Sequence, residues 1–237
     1  MKKIILILLS VLSIVSLSAA SDTLFFKVSL LGVKCAEVEL IENYLENDRV
    51  EIIYHTYTVG PFAKWSPTDY WYYYYCDSDY MYLDSLYKDV WDKDLDQQYS
   101  EVFQNGTIYY NQEYSRRYEY PLHHILTALV FFQHHPEYMK TDIDLPFHVS
   151  DEGKIHDMQI GVMKNERKAQ DEVYFSFNYL EGESALKGIG TDVFNWAIYS
   201  TEGSRMLAYS HEDHRITEGA FSVGWGGLYL RAKRINK

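Results

Sequence analysis

Beyond its first twenty residues the chain is dominated by short segments in which apolar and polar positions alternate, with turn residues separating them about every ten positions. Such alternation belongs to antiparallel strands that pack on one face and are wet on the other. In Glu172 to Tyr179, the clearest case, Val173, Phe175, Phe177 and Tyr179 share one face and Glu172, Tyr174, Ser176 and Asn178 the other. Lys154 to Val162 sets His156, Met158, Ile160 and Val162 against Ile155, Asp157 and Gln159, and should pair with Ile143 to Val149 across Asp151-Glu152-Gly153. Asn105-Gly106, between Val102-Phe103 and Ile108-Tyr109-Tyr110, is the strongest hairpin signal, because both turn positions need positive φ. Further turns are predicted at Leu31-Gly32, Glu46-Asn47-Asp48, Thr201-Glu202-Gly203 and His211-Glu212-Asp213. The count comes to about twelve strands, too many to stay flat and open. The fold class is therefore mainly β: a curved or nearly closed antiparallel sheet, a half-barrel or barrel.

One segment breaks the alternation. Pro121 to His135 reads as a helix, with proline in its first turn, Pro136 stopping it and a continuous apolar centre from Ile125 to Phe132. A helix that is apolar on all sides is buried, so it should fill or lid the hollow of the sheet. Residues 181 to 192, with Gly182, Gly188 and Gly190, read as a long connecting loop inside one domain spanning residues 21 to 237.

Met1-Lys2-Lys3, the apolar run Ile4 to Leu17 and the small residues Ser18-Ala19-Ala20 form a signal peptide over residues 1 to 20. The run is shorter than the ~20 residues a spanning helix needs, and Ser21-Asp22 rather than a cysteine directly follow the small residues, so a lipoprotein is not expected. The expected location is the periplasm or the exterior. Acidic residues outnumber basic ones 34 to 22, for a net charge of −12. Loss of Lys2 and Lys3 takes this to −14 (−12 minus 2), which disfavours nucleic acid as a partner. In an oxidising compartment Cys35 and Cys76 are either one structural disulfide or two separately packed thiols.

The 23 tyrosines fit half-buried strand positions where the ring packs and the hydroxyl stays wet. The densest aromatic stretch is Trp65 with Tyr70, Trp71, Tyr72, Tyr73, Tyr74 and Tyr75. As a strand it sends Tyr70, Tyr72 and Tyr74 to one face and Trp71, Tyr73 and Tyr75 to the other. It is either cross-strand packing, a platform for sugar rings, or a greasy wall for an acyl chain.

Metal chemistry finds little support in the nine histidines. His123 and His134, like His124 and His135, lie eleven residues apart, ~16 Å along a helix. His211 and His214 lack a third ligand at useful spacing. No metal or cofactor is expected. There is no nucleophile elbow and no phosphate loop, and Ser184 and Ser204 sit in loops without catalytic context. Acidic residues such as Asp77, Asp79, Asp84, Asp89, Asp92, Asp94 and Asp96 leave open a carboxylate-pair hydrolase, against a solvated acidic face. An outer-membrane barrel shares the alternation and the aromatics, but the closing segment Arg231 to Lys237 carries no aromatic residue and a buried helix would interrupt the wall.

Four stretches together resemble the exported bacterial family called domain of unknown function 3108. They are Phe25 to Val33 followed by Ala36-Glu37-Val38; the helix Leu122 to Phe132; Ile143 to Val162; and Met206 to Ile235. The turn His211-Glu212-Asp213-His214-Arg215 lacks an expected following proline, and Gln133-His134-His135 stands where an arginine is expected, which marks a divergent member. The resemblance implies an exported β-rich fold curved around a helix, similar in outline to periplasmic lipoprotein carriers. It carries over neither an activity nor a catalytic residue.

The function expected is a non-enzymatic binding or carrier module for a lipid-like or other hydrophobic ligand. Trp65, Trp71, Tyr73, Tyr75, Leu126, Leu129 and Val130 are its candidate lining, with the opposite aromatic set as the alternative wall. The rivals are an envelope scaffold or assembly factor that binds protein or glycan through a Tyr-rich face, and the hydrolase. No stable membrane span is expected once the signal is removed.

Overall fold

The computed structural model describes residues 21–139, 147–186, 190–199, 205–222 and 229–236. The expected signal segment (residues 1–20), residues 143–146, Gly188, the expected turn at Thr201-Glu202-Gly203 and Ser204 lie outside them. Within them run β1 (Ser21–Leu30), β2 (Val33–Leu45), β3 (Arg49–Thr58), α1 (Phe62–Trp65), β4 (Thr68–Asp77), β5 (Leu83–Asp92), β6 (Asp96–Gln104), β7 (Thr107–Tyr110), β8 (Tyr114–Arg117) and β9 (His123–His124). They are followed by α2 (Ile125–His134), β10 (Phe147–Asp151), β11 (Lys154–Asn165), β12 (Gln170–Gly182), α3 (Val193–Tyr199), β13 (Arg205–Ser210), β14 (Ile216–Ser222) and β15 (Tyr229–Ile235).

All fifteen strands belong to one sheet, ordered β8-β7-β6-β5-β4-β3-β2-β1-β15-β14-β13-β12-β11-β10-β9. The meander is sewn together where β1 meets β15, with Val28 opposite Ala232. Neighbours are antiparallel except β9 and β10, where His123 and His124 run parallel to Val149 and Ser150. The edges β8 and β9 do not pair, so the sheet is strongly curved but not closed. Side chains bridge the gap: Arg116 on β8 binds Glu181 at 2.5 Å, and the Tyr118 hydroxyl lies 3.0 Å from His148 Nδ1.

Turn chemistry explains the meander. Asn105 and Gly106 adopt φ of 52° and 71° between β6 and β7, and Leu31, Asn47 and Asp48 are likewise left-handed at their hairpins. Gly153, at φ 98° between β10 and β11, is irreplaceable for a second reason: a Cβ there would sit 2.5 Å from the Glu183 carbonyl oxygen. The inward faces follow the alternation, with Val173 and Phe175 of β12 and His156 and Met158 of β11 buried. Outward positions of β2 and β3 carry Glu37, Glu39, Glu51 and His55. On this stretch of wall the apolar residues thus point in and the polar ones out, the reverse of a lipid-spanning barrel.

The buried helix is present but starts later than its sequence pattern suggests. Pro121 and Leu122 are extended, and His123-His124 are taken by the pairing with β10. His124 then caps α2: its Nδ1 accepts from the Leu126 N–H at 3.3 Å, and its own N–H donates to Thr127 Oγ1 at 3.1 Å. Tyrosines of the sheet hold the helix from outside. The Tyr54 and Tyr209 hydroxyls each donate, at 3.1 Å, to the Leu126 and Leu129 carbonyls. Six tyrosines depart from the expectation of wet hydroxyls, since Tyr54, Tyr72, Tyr74, Tyr99, Tyr110 and Tyr209 are all buried, whereas Tyr87, Tyr109 and Tyr114 are exposed. No described helix is long and apolar enough to cross a membrane.

Candidate functional site

Between the curved sheet and the two longer helices lies a cavity of about 600 Å³. Strands β1, β2, β3, β14 and β15 supply Phe26, Val38, Leu40, Tyr54, Phe221 and Leu230; α2 supplies Leu126 and Leu129; α3 supplies Phe194, Ala197 and Ile198. These wall residues are apolar because they are the inward members of alternating strands. Polar groups collect at one end, where Ser66, Thr68, Lys93 and Asp94 surround Phe62 and Trp65 of α1. Trp65 is 79% exposed, which marks this end as the mouth. Apolar cavities of only ~150 Å³ already stay dry and bind benzene, and this one has several times that volume.

The sequence candidates divide. Trp65, Leu126 and Leu129 line the cavity. Trp71, Tyr73 and Tyr75 do not, because β4 turns Tyr70, Tyr72 and Tyr74 inward, and of these Tyr70 reaches the cavity. Two of the outward three belong to an aromatic ladder: Trp71 stacks on His55 at 3.7 Å between ring centroids and on Tyr73 at 5.9 Å, and Tyr73 continues to Tyr87 at 6.0 Å. Val130 is fully buried in the core and does not line the cavity. Helix α3 has no counterpart in the sequence reading, although Asp192 gives it an N-cap signal: the Asn195 N–H donates to Asp192 Oδ1 at 2.8 Å.

The opposite side of the interior is filled by a polar network. Lys88 of β5, 2% exposed, binds Glu152 and, at 3.0 Å, Asp192. Tyr72 donates to Asp192 at 2.7 Å, Thr191 to Glu152 at 3.0 Å, and Asn195 to Asp151 at 2.9 Å. Glu101 accepts from Tyr99 and Ser150, both at 2.7 Å. Burial pushes the Glu101 carboxyl up to about 7 against those two hydrogen bonds. None of these four carboxylates lines the cavity; each is held by protein donors, as a buried charge must be.

The histidines divide between buried positions and carboxylate partners. Burial pushes His123 and His124 down to about 3, while His134 binds Glu42 at 2.7 Å. Among the described residues no three His, Cys, Asp or Glu side chains are placed to hold a metal ion. Cys35 and Cys76 are free and buried. Cys76 pairs with Val50 of β3 and Cys35 bonds the Val59 N–H, nine residues along the same path, ~30 Å away. A bridge between them is geometrically excluded.

No family model and no curated protein matches this chain, so the likeness to domain of unknown function 3108 gains no support from those comparisons. Among solved structures the chain is similar to the crystal structure of a beta-barrel-like protein of domain of unknown function DUF1849 from Brucella abortus. The TM-score is 0.54 at 8% identity, over 92% of this chain and 96% of that one. At that identity the likeness concerns fold alone: this chain has a mainly β, barrel-like fold shared with a protein of unknown function.

Proposed function

We propose that this protein is an exported, non-enzymatic binding or carrier module for a hydrophobic, lipid-like ligand, and a divergent relative of domain of unknown function 3108. The observation that carries the reading is the apolar cavity of about 600 Å³ between the sheet and α2. Its volume lies in the range of sites for single drug-sized ligands, ~300 to 1,000 Å³. Burying a ligand's apolar surface there is favourable by about 25 cal/mol per Å². The test is fluorescence titration with the neutral dye phenylnaphthylamine. Saturable one-to-one binding that vanishes in Leu129→Trp, with the circular dichroism unchanged, supports the reading. Absence of saturable binding to the wild-type protein overturns it.

A second reading rests on the outward ladder of His55, Trp71, Tyr73 and Tyr87. Stacked rings on an outer face suit a sugar ring or a protein partner, as an envelope scaffold would need. Trp71→Ala separates the two: it removes the ladder and leaves the cavity lining intact.

A further inference from the structure

Among the described large hydrophobic residues Trp65 and Leu31 are the most exposed, at 79% and 77%, and both stand at the mouth of the cavity. Leu31 is the tip of the β1–β2 hairpin, directly after Leu30, which lines the cavity and pairs with exposed Val33. Val193, at the start of α3, is exposed and also lines the cavity. Topology gathers them. An antiparallel meander puts alternate connections at alternate ends, so the β1–β2 hairpin, the β3–β4 connection that carries α1 and the β5–β6 turn share one end. Large apolar side chains grouped in water mark a surface that meets a protein or a membrane.

Charge favours the membrane. At the mouth Lys64 of α1 and Lys93 of the β5–β6 turn are exposed, with Asp94 the one carboxylate in the lining, and Lys34 pairs with Glu37. The connections at the opposite end, β2–β3, β4–β5 and β6–β7, carry Glu46, Asp48 and Asp79 and neither Lys nor Arg. In a chain of net charge −12, the exposed apolar rim is thus the end that offers ammonium groups. Tryptophan at the headgroup level, with lysines on lipid phosphates, is how proteins sit on a bilayer interface. A guest taken up from a bilayer also needs such a rim, because mouth-down docking spares it a passage through water. Resting on the carrier reading, we propose that the mouth docks on a phospholipid bilayer. Leu31, Val33, Trp65 and Val193 enter the headgroup–acyl boundary, Lys64 and Lys93 meet phosphates, and the ligand passes directly between bilayer and cavity.

The experiment is co-sedimentation of the exported form, purified from the envelope, with vesicles of four parts phosphatidylcholine to one part phosphatidylglycerol. Leu31→Asn, which keeps the left-handed turn, combined with Trp65→Gln should lower vesicle binding about tenfold or more. Lys64→Gln with Lys93→Gln should lower it about fivefold or more. Leu45→Thr, at the opposite end, should change it less than about twofold. A second measurement keeps the rim apolar: brominated phosphatidylcholine should quench the tryptophan fluorescence of the wild-type protein, and Trp65→Phe should still bind and lose most of that quenching although four of the five tryptophans remain. No vesicle binding by the wild-type protein, or binding and quenching indifferent to the Leu31 and Trp65 variants, overturns the docking face. So does a dimer that forms without vesicles and dissolves in Trp65→Gln, which would give the rim to a second copy. Vesicle binding that fails while phenylnaphthylamine still binds leaves the carrier reading standing; dye binding that fails overturns that reading whatever the vesicles show.

Discussion

The two sides of this interior are built on the same curved sheet and solve the same problem in opposite ways. Around β4, β5, β6 and the β10–β11 turn, the inward positions carry Tyr72, Lys88, Tyr99, Glu101, Asp151 and Glu152, which bond one another or Asp192 and Asn195 at the start of α3. Around β1, β2, β3 and β15, the inward positions carry Phe26, Val38, Leu40, Thr56 and Leu230, which stop short and leave a chamber. A sheet of fifteen strands encloses more space than medium-sized apolar side chains fill. Long polar side chains close one side and fix its geometry. The other is left for α2, α3 and the cavity. The filled side thus acts as the clamp that holds the open side open.

The largest expected effect comes from breaking the clamp. Lys88→Met removes the cation between Glu152 and Asp192 and leaves two buried carboxylates without it. The loss should be about 3–5 kcal/mol in urea unfolding; a loss below about 1 kcal/mol would show that the network does not hold the fold. Filling the open side should cost less. Leu129→Trp is expected to abolish dye binding and change stability by only about 1–3 kcal/mol, because the ring enters existing space.

Glu101 sharpens the contrast through pH. Burial raises its folded pKa to about 7, above the ~4.3 of an unfolded chain, so its stabilising contribution is present at low pH and lost as pH rises through that window. Glu101→Gln cannot ionise and should gain stability relative to the wild type between pH ~4.3 and about 7 in chemical denaturation. A flat difference across that window would refute the assignment. His123 and His124 act in the opposite sense: with folded pKa values of about 3, their contribution is present above ~6.5 and is lost as pH falls toward 3. The difference between variant and wild type, rather than either curve alone, isolates Glu101. The smallest effect concerns Cys35 and Cys76, which lie on separate strands as buried thiols. Adding a reductant should leave the melting temperature unchanged, and a drop of several degrees would reveal a bridge this geometry forbids.

Much of the fold was legible because alternation and positive-φ turns are local signals. Asn105-Gly106, Asn47-Asp48 and the β10–β11 turn stand where turn chemistry puts them. The facing of β4 was not legible: when Trp71, Tyr73 and Tyr75 alternate with Tyr70, Tyr72 and Tyr74, neither set is more polar. The partners decide it, since inward-facing Tyr70 and Tyr72 find Asp92 and Asp192. The start of α2 was obscured because Pro121 mimics a first-turn proline, while the pairing of His123-His124 with β10 is a long-range event. Leu126 and Leu129 reach the cavity from the predicted helix, whereas Thr56 and α3 belong to it through tertiary placement that no local pattern encodes. The Asp192 cap was the one signal for α3 present in the chain.

The central claim is that the apolar chamber holds a hydrophobic guest, and native mass spectrometry of protein purified without detergent, followed by organic extraction, tests it most directly. The account predicts a co-purifying lipid-like adduct at one per chain, released by the solvent and absent from Leu129→Trp. Wild-type protein that is empty, and stays empty after incubation with monoolein vesicles, would contradict it.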